Sequence, residues 1–100
     1  MYAVIFTAEI SELDEEYATM AARMRELAQT EYGCVGFMAL TEGNLEVAIS
    51  YWEDLAQIRS WKQDPEHLIA QQLGREKWYK SFRVQVVQVV REYATGRRDN

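Results

Sequence analysis

Three segments of this 100-residue chain carry apolar side chains at odd and even positions alike. In the first, Tyr2–Ile10, Val4, Phe6 and Ile10 stand against Ala3 and Ile5. In the middle of the chain, Val35, Phe37 and Ala39 stand against Cys34, Met38 and Leu40. Near the C-terminus, Val84, Val86 and Val90 stand against Val87 and Val89. Successive side chains of a β-strand point to opposite faces. A sheet built from these segments is therefore apolar on its front and its back, unlike an antiparallel sheet with one face in water. Whatever the fold, it has to cover both.

The rest of the chain supplies one cover. After the first strand, Leu13, Tyr17, Met20, Ala21, Met24, Leu27 and Ala28 recur at spacings of three and four, the stripe of an amphipathic helix. Ser11-Glu12-Leu13-Asp14 reads as its capping box, with Asp in place of the usual Glu. Tyr32-Gly33 is the stop signal. Cys34–Thr41 and Leu45–Trp52, joined by Glu42-Gly43-Asn44, form a predicted hairpin. Leu55, Ile58 and Trp61 predict a short helix with that face inward, and Asp64-Pro65 starts a second one, Pro65–Leu73, ending at Gly74. A connection, REKWYKS, leads to a long last strand, Phe82–Tyr93. The order β-α-β-β-α-β, with a helix pair in the second α position, marks an α+β ferredoxin-like plait: an antiparallel sheet with its helices on one face.

That arrangement leaves the second face bare. One domain, residues 1–95 with a polar tail 96–100, has no element left to cover it. A chain of this size buries only about 60–65% of its unfolded surface, and an exposed apolar sheet would exceed the few hundred Å² that monomers show. A second copy is the expected cover, forming a homodimer through the sheet face about a two-fold axis.

Charge and composition exclude other partners. With 11 basic and 16 acidic residues the net charge is −5, which repels a phosphate backbone. The pair Arg97-Arg98 reads as a frayed end rather than a nucleic-acid contact. No apolar run approaches a membrane span, and MYAVIFTAEI has neither the basic start nor the cleavage site of a secretion signal. Cys34, the single cysteine, reads as a small buried hydrophobe and permits no internal disulfide. A cytoplasmic protein is expected. One His and one Cys are poor material for a metal site, and there is no glycine-rich phosphate loop.

The stretch SYWEDLAQIRSWKQDPEHLIAQQLGREKWYKSFRVQVVQVVREY, with the element order and length, resembles the antibiotic biosynthesis monooxygenase-like domain family over nearly the whole chain. Trp52-Glu53, the Trp61…Pro65-Glu66-His67 helix pair and Trp78-Tyr79 carry most of the likeness. The resemblance implies a dimeric α/β barrel of two ferredoxin-like subunits. It also implies, for some members, a monooxygenase that needs no metal or organic cofactor and oxidises a phenolic or quinol-type aromatic with O2. Other members degrade haem, and a non-catalytic dimeric domain that binds a small ligand is the alternative.

On this reading His67 and Trp61 are the candidate catalytic residues, His67 because an imidazole transfers protons near neutral pH. Phe37, Tyr51, Trp52, Trp78 and Arg83 are the candidate substrate contacts, with Tyr79 a further wall and Arg75 or Arg83 holding an oxyanion. Each has a plainer explanation. Trp61 fits a packing stripe, Trp52 pads a strand end, His67 sits in the first turn of a helix, and the arginines have Glu76 and Glu92 nearby. Haem-degrading relatives resemble a pattern of Asn on the first strand, Trp on the second helix and His ten residues beyond. Here Trp61 matches, but Tyr2–Ile10 has no Asn, and Gln71 stands where that His would be.

Overall fold

The computed structural model describes residues 1–96. Its elements are β1 (Tyr2–Ile10), α1 (Glu15–Thr30), β2 (Gly36–Glu42), β3 (Leu45–Trp52), α2 (Leu55–Lys62), α3 (Pro65–Leu73), a π-helical turn (Gly74–Trp78) and β4 (Tyr79–Gln88). The four strands form one antiparallel sheet in the order β2-β3-β1-β4, the ferredoxin-like topology. The tail expected at 96–100, Arg97 and Arg98 included, lies outside the described residues except for Gly96.

Turn chemistry explains most boundaries. Gly43, at φ +60, is the first central residue of the two-residue β2–β3 turn, where a type II′ hairpin needs a positive φ. Asp64 Oδ1 accepts from the Glu66 N–H at 2.8 Å, and Pro65 occupies the first turn of α3, as expected. Asp54 and Gln57 form a full capping box on α2.

Four expectations are corrected. The cap of α1 is Asp14, which accepts from the Tyr17 N–H at 2.8 Å, not Ser11. The Ser11 N–H instead donates to the Trp78 carbonyl at 2.8 Å, which holds residue 11 in the loop. The hairpin's first strand starts at Gly36; Cys34 precedes it and packs in the core beside Met24, Leu27 and Ala28. Leu55 faces solvent, so only Ile58 and Trp61 of that stripe are buried. The last strand is displaced towards the N-terminus, Tyr79–Gln88 rather than Phe82–Tyr93. Gln88 pairs with Tyr2, the first residue of β1, so the ladder has no partner further on beyond one bond from Val89 N–H to the Met1 carbonyl. Val90 and Tyr93 are exposed.

The register divides the sheet into two unlike faces. Paired residues share a face, so Phe37, Ser50, Val4 and Val86 form one inward row, and Ala39, Ala48, Phe6 and Val84 the next. The outward rows hold Met38, Ile49 and Ile5, and Leu40, Val47 and Thr7. Met38, Leu40, Leu45 and Val47 of that outward face are exposed.

The core gathers at the Tyr2–Trp52 end. Trp52 is fully buried, its indole N–H donates to Ser50 Oγ at 2.8 Å, and its ring lies 5.1 Å from that of Trp61. The Trp61 indole N–H donates to the Met24 carbonyl at 3.2 Å, which ties α2 to α1. Trp52→Ala is expected to lower the stability to urea by about 3–5 kcal/mol, the cost of a cavity under the helix pair. A loss below about 1 kcal/mol would show that Trp52 is not the keystone of this core.

Candidate functional site

The inward face does not pack flush against the helices. At its middle stand Ala39 and Ala48, and α1 brings Ala21 and Ala22 opposite them. These short side chains leave a cavity of about 450 Å³ between the sheet, α1, α3 and the π-helical turn, within the range of small-molecule sites. Aromatic rings wall it: Phe37 and Trp61 at one end, Phe6, Tyr17, Trp78, Tyr79 and Phe82 at the other. Trp78 is anchored from behind by its indole N–H to Asp14 Oδ1 at 3.1 Å, and Tyr17 meets it edge-on at 5.3 Å. The π-helical turn, a distortion often found at functional sites, brings Gly74 against the Tyr79 ring. A Cβ there would lie 3.1 Å from Tyr79 Cδ2, so any larger residue would push on the cavity wall.

Two polar groups of opposite character face this apolar space. At the Trp61 end, His67 is buried and packs edge-on to Trp61 at 4.5 Å. Gln71 Nε2 lies 3.2 Å from His67 Nδ1. With the Gln71 amide in this orientation its nitrogen donates, Nδ1 accepts, and the neutral ring carries its proton on Nε2. Burial, reinforced by the charge of Lys62, pulls the His67 pKa down to about 4. At neutral pH His67 is thus an uncharged hydrogen-bond donor rather than a base with a free lone pair. Lys62 and Arg75 line the same cavity, and neither has a salt-bridge partner among the described residues. Burial, and then repulsion from Arg75, lowers the Lys62 pKa.

At the opposite end, Glu46 is buried on β3 and accepts from the Tyr79 hydroxyl at 2.6 Å. Burial raises its pKa, partly offset by that hydrogen bond, and burial with the same bond raises that of Tyr79. Glu46 stands four residues along β3 from Ser50, ~14 Å at the rise of an antiparallel strand. Among the described residues no group of three His, Cys, Asp or Glu could hold a metal ion.

Of the residues singled out from the sequence, the fold brings Phe37, Trp61, His67 and Trp78 together around the cavity. Trp52 lies behind Trp61 and lines nothing. Tyr51 and Arg83 lie on the outward face: Tyr51 pairs with Ala3, and Arg83 with Thr7. Tyr51 there lines a second hollow with Val35 and Val89. Arg75, not Arg83, reaches the cavity. Glu46 was missed; its signal was a lone carboxylate alternating with Ala48 and Ser50 inside a strand.

Comparison with known proteins places the chain. The family model described as antibiotic biosynthesis monooxygenase matches residues 1–73. The uncharacterized protein YqjZ of Bacillus subtilis (strain 168) is 37% identical over 92 residues, spanning 91% of this chain and 81% of YqjZ. The chain belongs to the antibiotic biosynthesis monooxygenase family. Among solved structures, SnoaB of Streptomyces nogalater, a cofactor-independent oxygenase, superposes with a TM-score of 0.75 at 17% identity, covering 91% of this chain and 94% of SnoaB. Rv0793 of Mycobacterium tuberculosis superposes with 0.78 at 16% identity, covering 93% and 98%. At such identities the antibiotic biosynthesis monooxygenase likeness is one of fold. The family match contains Glu46, Trp61, Lys62 and His67 but stops before Arg75, Trp78 and Tyr79. No helix of the described residues is long and apolar enough to cross a membrane.

The lowered His67 pKa has a measurable sign. The unfolded chain takes up a proton near pH 6.5 and the folded chain near 4, so the contribution of His67 to stability is complete above 6.5 and declines as pH falls towards 4. Between pH 7 and 5 it falls by about 2 kcal/mol. Glu46 acts with the opposite sign, so the comparison needed is wild type against His67→Gln in urea unfolding at both pH values. Wild type should lose about 2 kcal/mol more than the variant; equal losses would mean that His67 is not held neutral.

Proposed function

We propose that the protein is a cofactor-independent monooxygenase that oxidises a flat phenol-, quinol- or anthrone-type molecule with O2, working as a homodimer joined through the outward face of the sheet. The observation that carries this reading is the aromatic-walled cavity with hydrogen-bond donors and cations gathered at one end. The other supports are membership of the family and the fold shared with SnoaB, an enzyme of that kind.

The chemistry needs little from the protein but placement. A carbon or oxygen acid of this class loses a proton, and the resulting anion is electron-rich enough to reduce O2 itself. For a methylene flanked by two rings the balance is CH2 + O2 → C=O + H2O: the carbon is oxidised, and the second oxygen atom leaves as water. Trp61, Phe37 and Trp78 hold the ring system flat. His67 Nε2–H, Lys62 and Arg75 stabilise the oxyanion. Trp61 sets the position of His67 by packing edge-on against its ring.

The dimer follows from exposed surface. Met38, Leu40, Leu45 and Val47 form an apolar patch on the outward face, continued by Ile49 on β3 and Ile5 on β1. A second sheet packed against it would bury that patch on both copies.

Oxygen uptake with a panel of anthrones and naphthols tests the activity. His67→Ala and Trp61→Phe should each lower kcat about 10²-fold, as loss of one oxyanion donor or of substrate alignment does. Lys62→Met and Arg75→Met should chiefly raise KM for ionised substrates. Tight binding of the panel with no oxygen uptake would contradict the oxygenase and leave a ligand-binding domain.

A further inference from the structure

We propose that Glu46 is the proton acceptor of this cavity and that Tyr79 positions it, so that the pair takes the proton of a phenolic hydroxyl or of an acidic ring-flanking C–H. What becomes of the anion afterwards rests on the oxygenase reading; the proton transfer does not.

The oxygenase reading requires a base, and the other groups around the cavity do not supply one. His67 has Nδ1 occupied by Gln71 and a proton on Nε2. Arg25, Lys62 and Arg75 are cations, and Tyr17 and Tyr79 are hydroxyl donors. Glu46 is the single carboxylate lining the space. Only its Oε2 is engaged, by the Tyr79 hydroxyl; Oε1 accepts no hydrogen bond among the described residues. Packing alone does not explain a carboxylate here. Its strand neighbours on the same face are Ala8, Thr41 and Ala48, which a small apolar residue would match, and burying a carboxylate with one hydrogen bond costs several kcal/mol.

The surroundings tune it for the task. Tyr79 faces Glu46 from β4, and Tyr17 from α1 packs edge-on to the Tyr79 ring at 6.3 Å. β1 and β2 present Phe6, Ala8 and Thr41, so no other charge faces the carboxylate from those strands. Burial strengthens it as a base by raising its pKa, while the Tyr79 bond keeps that rise in check. In the step itself the substrate O–H or C–H bond breaks, its electron pair stays on the substrate, and a new O–H bond forms on Oε1. The protonated carboxyl later returns that proton to the reduced oxygen species, leaving Glu46 as it began. The cations and His67 at the other end of the cavity stabilise the charge left behind on a substrate long enough to span it.

Anaerobic stopped-flow mixing with 1,8-dihydroxyanthrone separates this step from oxidation, because the anion absorbs in the visible and its rate of formation can be followed. Quenching of tryptophan fluorescence reports binding independently. Wild type should show the anion at neutral pH. Glu46→Gln, whose amide carbonyl still accepts from Tyr79, should bind within about threefold as tightly, keep its urea midpoint, and form the anion about 10²-fold more slowly. After aeration its oxygen uptake should fall about 10²-fold or more. Tyr79→Phe should move the midpoint of the pH–rate profile of anion formation to higher pH, because the bond that holds the Glu46 pKa down is gone. An anion formed equally fast in wild type and Glu46→Gln, or none in wild type, would overturn the proposal. An anion that depends on Glu46 but consumes no oxygen would sustain the proposal and refute the oxygenase reading.

Discussion

The structure depends on a sheet that is apolar on both faces but in different ways. Outward it carries long aliphatic side chains, Met38, Leu40, Val47 and Ile49, suited to close packing against a flat partner. Inward it carries Ala39, Ala48 and Ser50 at its centre with rings around them. Small residues at the centre leave a hole between the sheet and the helices, and a hole in a core costs stability in proportion to its size. A chain of 100 residues has little to spare for such a hole. Burial of the outward face against a second copy would offset it, so the cavity and the proposed dimer are two consequences of one arrangement.

Tryptophan indoles hold the hole open. Trp61 is fastened to the α1 backbone at Met24, and Trp78 to the α1 cap residue Asp14, so the rings that wall the cavity also set the distance between helices and sheet. Polar groups inside are then few and opposed. One end is rich in donors and positive charge, and the other holds a single carboxylate bound to a tyrosine. A flat molecule with an ionisable group would meet complementary chemistry at each end, as the proposed function requires.

Much of this was legible in the residues, and the failures share a cause. Element order, the Asp64-Pro65 restart and the Gly43 turn were readable because each depends on local backbone chemistry. The need for a second cover was readable from composition along the strands. What could not be read was which face is which. A one-residue change of parity exchanges the two faces of a strand, and when both are apolar the pattern does not mark the inner one. Tyr51 and Arg83 were therefore assigned to the cavity although they point outward. Glu46 went unnoticed because Leu45, Val47 and Ile49 alternate with Ala48 and Ser50 on its strand, and parity alone does not mark which set faces the cavity. His67 was singled out for its chemistry and lines the cavity, but its burial beside Lys62, which lowers its pKa, is a tertiary fact with no trace in the spacing.

The most direct test is the mass of the purified protein in solution. Sedimentation equilibrium at micromolar concentration should give the mass of two chains. A species with the mass of one chain across that range, its apolar sheet face wetted, would contradict the account at its root.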